Sequence, residues 1–262
     1  MRSLSVRRAG TTAAAAALAL LATACGGSSD DGGKGGDGTT ARADKTAPAP
    51  AAATPPTAAE LEKAALTQAD VTSGKVSTKV PAGDNLTPDK VTSPVTACTP
   101  LALLQAGTYP GTPAGTAKRS WVSDAKKAPA GAGPEESADA AMDRTKTVET
   151  LASYPDGGAE QVMKDLRTAV QKCASGFSYT AAGTKTKVLK VVTAAAPQGA
   201  DEALAVTSTV AADGVDAPMK SVVVRKGATV VFFPTVNIAS VVTGKDFAFP
   251  AGIVDAQLKK LK

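Results

Sequence analysis

Histidine is missing from all 262 residues. Its absence removes the commonest general base, the commonest metal ligand and the usual partner of a catalytic serine or cysteine. Cysteine is scarce: Cys25, Cys98 and Cys173 are the only three, and none sits in a CxxC pair. An ordinary structural zinc site is excluded on that ground. Aromatic residues make up 3% of the chain, so a core must be built from Val, Leu, Ala and a few Phe. There is no GxGxxG after a strand, no Walker loop and no GxSxG elbow. A large excess of either charge is missing too. The formal charge is +5, from 29 basic and 24 acidic residues; Arg2, Arg7 and Arg8 precede Cys25 without any acid, which leaves +2 for the rest. No Lys/Arg stripe is interleaved with aromatics, so the chain carries no nucleic-acid footprint. The expectation is no catalytic residues, no metal and no cofactor.

What is present begins at the N-terminus. Three arginines are followed by Ala13 to Ala24, mostly apolar and including Leu18, Leu20 and Leu21, and then by Cys25. Charged, apolar and small-residue regions in that order read as a secretory signal peptide over 1–24. The apolar run is shorter than the roughly 20 residues a spanning helix needs. Leu21-Ala22-Thr23-Ala24-Cys25-Gly26 resembles a bacterial lipobox, in which Cys25 is the lipid-attachment residue after cleavage. The usual pattern has Leu three residues before the cysteine; here Ala22 holds that place. An ordinary signal-peptidase cut, with Cys25 incidental, is the alternative. Arg7-Arg8 lacks the rest of a twin-arginine motif. One acyl chain holds a protein only marginally, whereas two keep it on the bilayer. A diacylglyceryl, palmitate-type modification of Cys25 therefore predicts a chain anchored by lipid to the extracellular face of the cell membrane.

Residues 25–57 form the lipidated cysteine and a linker of Gly, Ser, Asp, Thr, Ala and Pro. Such a segment buries too little surface to offset its ordering entropy, and it would span roughly 30 Å r.m.s.. From 58 to 262 the pattern turns globular, within the range of one domain. A short helix is read over 58–66, a strand over 75–80, and a helix at Thr99-Pro100 with Thr99 as N-cap and Pro100 first. Residues 117–123 and 146–153 are read as strands and 126–137 as a loop. Val162, Leu166, Ala169, Val170 and Cys173 recur at helical spacing over 159–173, with Gly176 as the stop. Strand runs follow over 186–193, 203–211, 220–226 and 229–236, the last two joined by Arg225-Lys226-Gly227-Ala228. Ile253, Val254, Leu258 and Leu261 mark a final helix after Pro250. Consecutive strands with short turns, flanked by grouped helices, predict an α+β domain. It should be a curved antiparallel sheet with the 159–173 and C-terminal helices packed on it.

With Cys25 lipidated, Cys98 and Cys173 remain, and an exported chain meets an oxidising compartment. A disulfide between them is expected; two free buried cysteines are the alternative. A catalytic thiol lacks the histidine to activate it.

Several stretches bear a family resemblance. Leu166 to Phe177 (LRTAVQKCASGF), Asp201 to Val206 (DEALAV) and Val222 to Val231 (VVVRKGATVV) resemble the extracellular sensor domains related to the mycobacterial kinase PknH. Similar domains occur as free actinobacterial lipoproteins, and the high Ala, Gly and Thr content agrees with a GC-rich source. The resemblance implies a curved sheet with helices and a groove for an extracellular ligand. It also implies two disulfides, of which this chain can form one.

The leading functional reading is a non-enzymatic ligand-binding or sensor-like lipoprotein, with the membrane as one partner and an unknown small molecule, lipid or wall polymer as the other. Candidate ligand residues are Trp121, Tyr109, Arg119 and Tyr179; core packing for Trp121 and a solvated face for Arg119 and Lys118 are the plainer alternatives. An interaction subunit that docks an envelope protein or wall polymer is a second reading. An envelope hydrolase is a third. It would need Ser120, Ser137 or Ser153 beside a lysine, or the adjacent Glu135 and Glu136, whose solvated loop offers nothing to push their pKa values apart.

Overall fold

The computed structural model describes residues 54–261, and the Cys25 and signal-peptide expectations lie outside them. Runs such as VLKVVT, ALAVTSTV, SVVVRK and TVVFFPTV crowd β-branched and aromatic residues, which fit a pleated, packed surface. They fall in β6 (Thr184–Ala194), β7 (Glu202–Ala212), β8 (Val215–Lys226) and β9 (Thr229–Asn237). Earlier in the chain come β1 (Lys75–Ser77), β2 (Val91–Thr92), β3 (Gly115–Val122), β4 (Thr145–Ser153) and β5 (Phe177–Ala181). All nine join one open antiparallel sheet in the order β1-β3-β4-β9-β8-β7-β6-β5-β2. The α+β expectation holds.

Turn chemistry sets the register. Lys226 pairs with Thr229, so Gly227-Ala228 alone closes the β8–β9 hairpin. Asp213-Gly214 closes β7–β8 with both residues at positive φ, +44° and +86°, which suits the strand twist. Both edge strands are short, as edges that avoid pairing with other chains tend to be.

Alternation along the central strand builds two cores. Val230 and Phe232 of β9 face one side; Val231 and Phe233 face the other. The first side is covered by α2 (Thr99–Gln105) and α4 (Gly158–Lys172). Helix α4 contributes Val162, Met163, Leu166, Ala169 and Val170, all buried. Cys98 and Cys173 form the expected disulfide, their Cα atoms 5.9 Å apart, joining the start of α2 to the end of α4. The second side is covered by α1 (Ala58–Ala64) and α6 (Ala251–Leu258). Thr57 caps α1 in a reciprocal box with Glu60. The two helices expected on the sheet thus pack on opposite faces of it.

Several local readings are corrected. The 126–137 loop ends early, because α3 (Pro134–Met142) starts inside it. Proline in the first turn and Glu135 and Glu136 beside the helix N-terminus favour that start. Thr99 does not cap α2. A 3-10 turn over Thr96–Cys98 runs into the helix, Cys98 holds the cap position, and Thr99 is already helical. The 75–80 strand stops at Ser77. Leu261 lies past the end of α6, although it still packs on the second core. Strands β2 and β5 and helix α5 (Ile238–Thr243) were not foreseen.

Candidate functional site

Three neighbouring strands stop at the same end of the sheet: β3 at Val122, β4 at Thr145 and β9 at Asn237. The chain between β3 and β4 carries α3; the chain after β9 carries α5 and a loop that runs to Pro250. The two excursions stand apart and leave an open groove of about 840 Å³.

The floor is polar and fixed. Asn237 accepts a bond from the Ser240 amide at 3.0 Å, which caps α5. Its Nδ2 donates to Asp143 Oδ1 at 2.8 Å and to Thr145 Oγ1 at 3.2 Å. The Lys126 ammonium, with help from Asn237, holds the Asp143 carboxyl below its usual range. One amide side chain therefore ties β9, β4, α3 and α5 together. At the other margin Lys220 of β8 pairs with Asp246 at 2.9 Å and lies 5.2 Å from the Phe247 ring centre. That contact pins the 244–250 loop across the sheet.

The walls are partly apolar, from Trp121, Met142 and Val242. Trp121 is buried, and its indole N–H donates to Ser73 O at 3.0 Å. Gly74 lies against the ring with φ +74°, and a Cβ there would come within 2.6 Å of the indole nitrogen. Only glycine fits beneath the ring.

Of the four residues expected to face a ligand, Trp121 alone borders this groove. Arg119 lies two residues earlier on the same sheet face but is roofed by α1. Its guanidinium donates to Leu66 O, Glu62 O and Lys118 O at 3.1, 2.8 and 2.8 Å and pairs with the Glu62 carboxylate at 2.8 Å. It is no solvated residue. Tyr109 and Tyr179 belong to the first core, on the opposite face of the sheet. Sequence reasoning missed Asn237, Asp143 and Ser240. The Asn-x-x-Ser spacing after a strand was the available signal for a helix cap.

The candidate catalytic groups are dispersed. Ser153 Oγ donates to Pro56 O at 2.5 Å. Ser137 is exposed on α3. Ser120 shares a strand face with Lys118, but the Lys118 ammonium donates to Leu86 O at 2.6 Å. Burial lowers the pKa of Lys118 to about 8. Glu149, opposite Arg119 in the β3–β4 register, is 1% exposed, and burial raises its pKa to about 8. Its Oε2 accepts from the Leu66 amide at 3.3 Å, and its Oε1 has no partner among the described residues. It does not border the groove. Among the described residues no three His, Cys, Asp or Glu side chains are placed to hold a metal ion. No described helix is long and apolar enough to cross a membrane.

No family model matches the chain, and no curated protein does. Among solved structures it is similar to the extracellular domain of PknH from Mycobacterium tuberculosis, at 11% identity and a TM-score of 0.44, over 79% of this chain and 95% of that domain. A likeness this distant assigns no residue and no activity.

Proposed function

We propose that this protein is a non-enzymatic ligand-binding or sensor-like domain of the cell envelope, held to the outer face of the membrane by lipid on Cys25. The groove at the ends of β3, β4 and β9 carries the reading. Its floor of pre-bonded polar groups beside apolar walls is the usual make-up of a small-molecule site. Asn237 engages Asp143, Thr145 and the Ser240 amide in fixed hydrogen bonds, which supports a preformed binding floor. Binding rather than turnover is what the arrangement can do.

The test is native mass spectrometry of the mature chain purified from its host without denaturant, beside Ala140→Trp and Ala239→Trp, which fill the groove from α3 and α5. A co-purifying mass in the parent that is absent from both variants is expected. A bare parent, or a mass retained by both variants, overturns the groove as the site. Cys25→Ala tests the anchor separately. Release from the membrane fraction is expected, and unchanged partition with unchanged mobility overturns lipid attachment.

A second reading, docking of an envelope protein or wall polymer, is favoured by one observation. Met142, Ile238, Val241 and Val242 are large apolar side chains left exposed on α3 and α5, Val242 at 60%. Clustered exposed apolar groups mark interaction surfaces more often than single ones do.

A further inference from the structure

We infer that the uncovered part of the second sheet face, along β6, is a docking surface for a membrane rich in anionic phospholipid. The inference does not depend on lipid at Cys25 or on the groove.

The surface is made by a register shift. Lys187 pairs with Ala211 and Val188 with Val210, but the next pair is Lys190 with Thr209. Leu189 is the extra residue of a β-bulge, and a bulge re-aims the side chains that follow it. Without it, strict alternation would send Lys190 to the face occupied by Val188. With it, Lys185, Lys187 and Lys190 all stand on the second face, while Val188 and Val191 stay buried in the first core. Val192, opposite Thr207, continues the row and is 40% exposed.

The neighbours on this face are small and mostly uncharged. Ser178 and Thr180 flank the lysines on β5, Thr207 and Thr209 on β7, and Pro218 follows on β8. Asp216, opposite Ala211, is on this face, and so is Lys220, opposite Thr207, which is neutralised by Asp246 at 2.9 Å. Among the described residues none of the three lysines is in an ion pair. Helix α4, which packs on β6, lies on the opposite side.

The chemistry selects the partner. Lysine is a compact point charge without the planar fork of arginine. The patch has no arginine for bidentate recognition of bases or phosphates and no aromatic ring for stacking. Charge without directional recognition, spread over one exposed sheet face with a valine among the lysines, complements a plane of phosphate headgroups. Each lysine near an anionic leaflet strengthens partition by about fivefold.

The experiment uses the mature chain carrying Cys25→Ser, so that no acyl group contributes. It is sedimented with phosphatidylcholine vesicles, with or without about 30 mol% phosphatidylglycerol, at low and high salt. The expected result is binding only to the phosphatidylglycerol vesicles, lost at high salt and weakened about a hundredfold by K185A/K187A/K190A. K185R/K187R/K190R keeps the charge and should bind like the parent, as should K79A/K164A/K172A, which removes three exposed lysines from elsewhere. Equal binding to both vesicle types, or equal loss in the two alanine triples, overturns the proposal. So does a single-stranded DNA oligonucleotide held as tightly as the anionic vesicles.

Discussion

A carboxyl group buried where water does not reach is best kept neutral, and Glu149 is such a group. Burial raises its pKa from 4.5 to about 8 against the opposing pull of the Leu66 amide, Arg119 and Lys260; Asp70 adds to the rise. The folded chain therefore holds a proton that the unfolded chain releases between those two values. The Glu149 contribution to stability is full below about 4.5 and is lost as pH rises from there through 8, by up to about 1.4 kcal/mol per pH unit. With no histidine to titrate in that window, the slope should be visible in urea melts between pH 5 and 8. Glu149→Gln should flatten it and leave the variant the more stable protein at pH 8; a slope unchanged by the substitution would rule out Glu149 as its source. Lys118 acts oppositely: burial lowers its pKa to about 8, so stability should climb again above that pH. Asp70, held near 2 by Lys260 and Thr67, contributes stability that is lost as pH falls through its folded pKa. Little of this is legible in the sequence. Arg119 reads as a ligand candidate, or with Lys118 as a solvated face, because the cover of both comes from α1 and the residues around Leu86, which are distant in sequence.

Helix α4 was the most legible element, since its apolar spacing is set by the face it buries. Helix α3 was hidden for the converse reason: it buries none of its residues, so no apolar period marks it. Strand β5 was hidden by brevity, with Phe177 and Tyr179 turned inward in only five residues. Cysteine arithmetic located the disulfide because just two cysteines remained once Cys25 was assigned to lipid. The bridge closes 75 residues and ties α2 to α4. In the chain-entropy view it contributes about 4 kcal/mol by restricting the unfolded state. Cys98→Ala with Cys173→Ala should lower the urea midpoint accordingly, with an unchanged far-ultraviolet circular dichroism spectrum below the transition. An unaltered midpoint would mean that the bridge restricts nothing that packing does not already hold.

For the whole molecule, the sequence supported one α+β domain with an antiparallel sheet, and the turn at 225–228 gave the β8–β9 hairpin, whereas the β5–β6 hairpin was missed along with β5. What composition cannot show is which side of the sheet each helix covers, and that choice decides the groove. Tyr109 and Tyr179 were grouped with Trp121 by residue type, yet the sheet stands between them. The β6 lysines escaped notice for a related reason, because a bulge rather than alternation aligns them. Protection against hydrogen exchange should follow this architecture. Amides of β4, β8 and β9 should be slowest, being central and buried on both sides, while α3 should exchange within the range of local opening. Comparable protection in α3 and β9 would mean that the groove wall is held by contacts other than its own side chains.

The strand order has a consequence for how the protein is made. Strand β4 pairs with β9, so the middle of the sheet joins an earlier strand to the last one, across four intervening strands. A chain that emerges N-terminus first presents β3 and β4, whose Trp121, Val148, Leu151 and Glu149 are all buried in the finished sheet, well before residues 229–237 arrive to complete them. Strands β5 to β9 form a meander of neighbours and can organise as soon as they appear. Biogenesis therefore has a vulnerable interval in which the earlier half waits for the later one, and the burden of keeping it from aggregating falls on chaperones rather than on the fold.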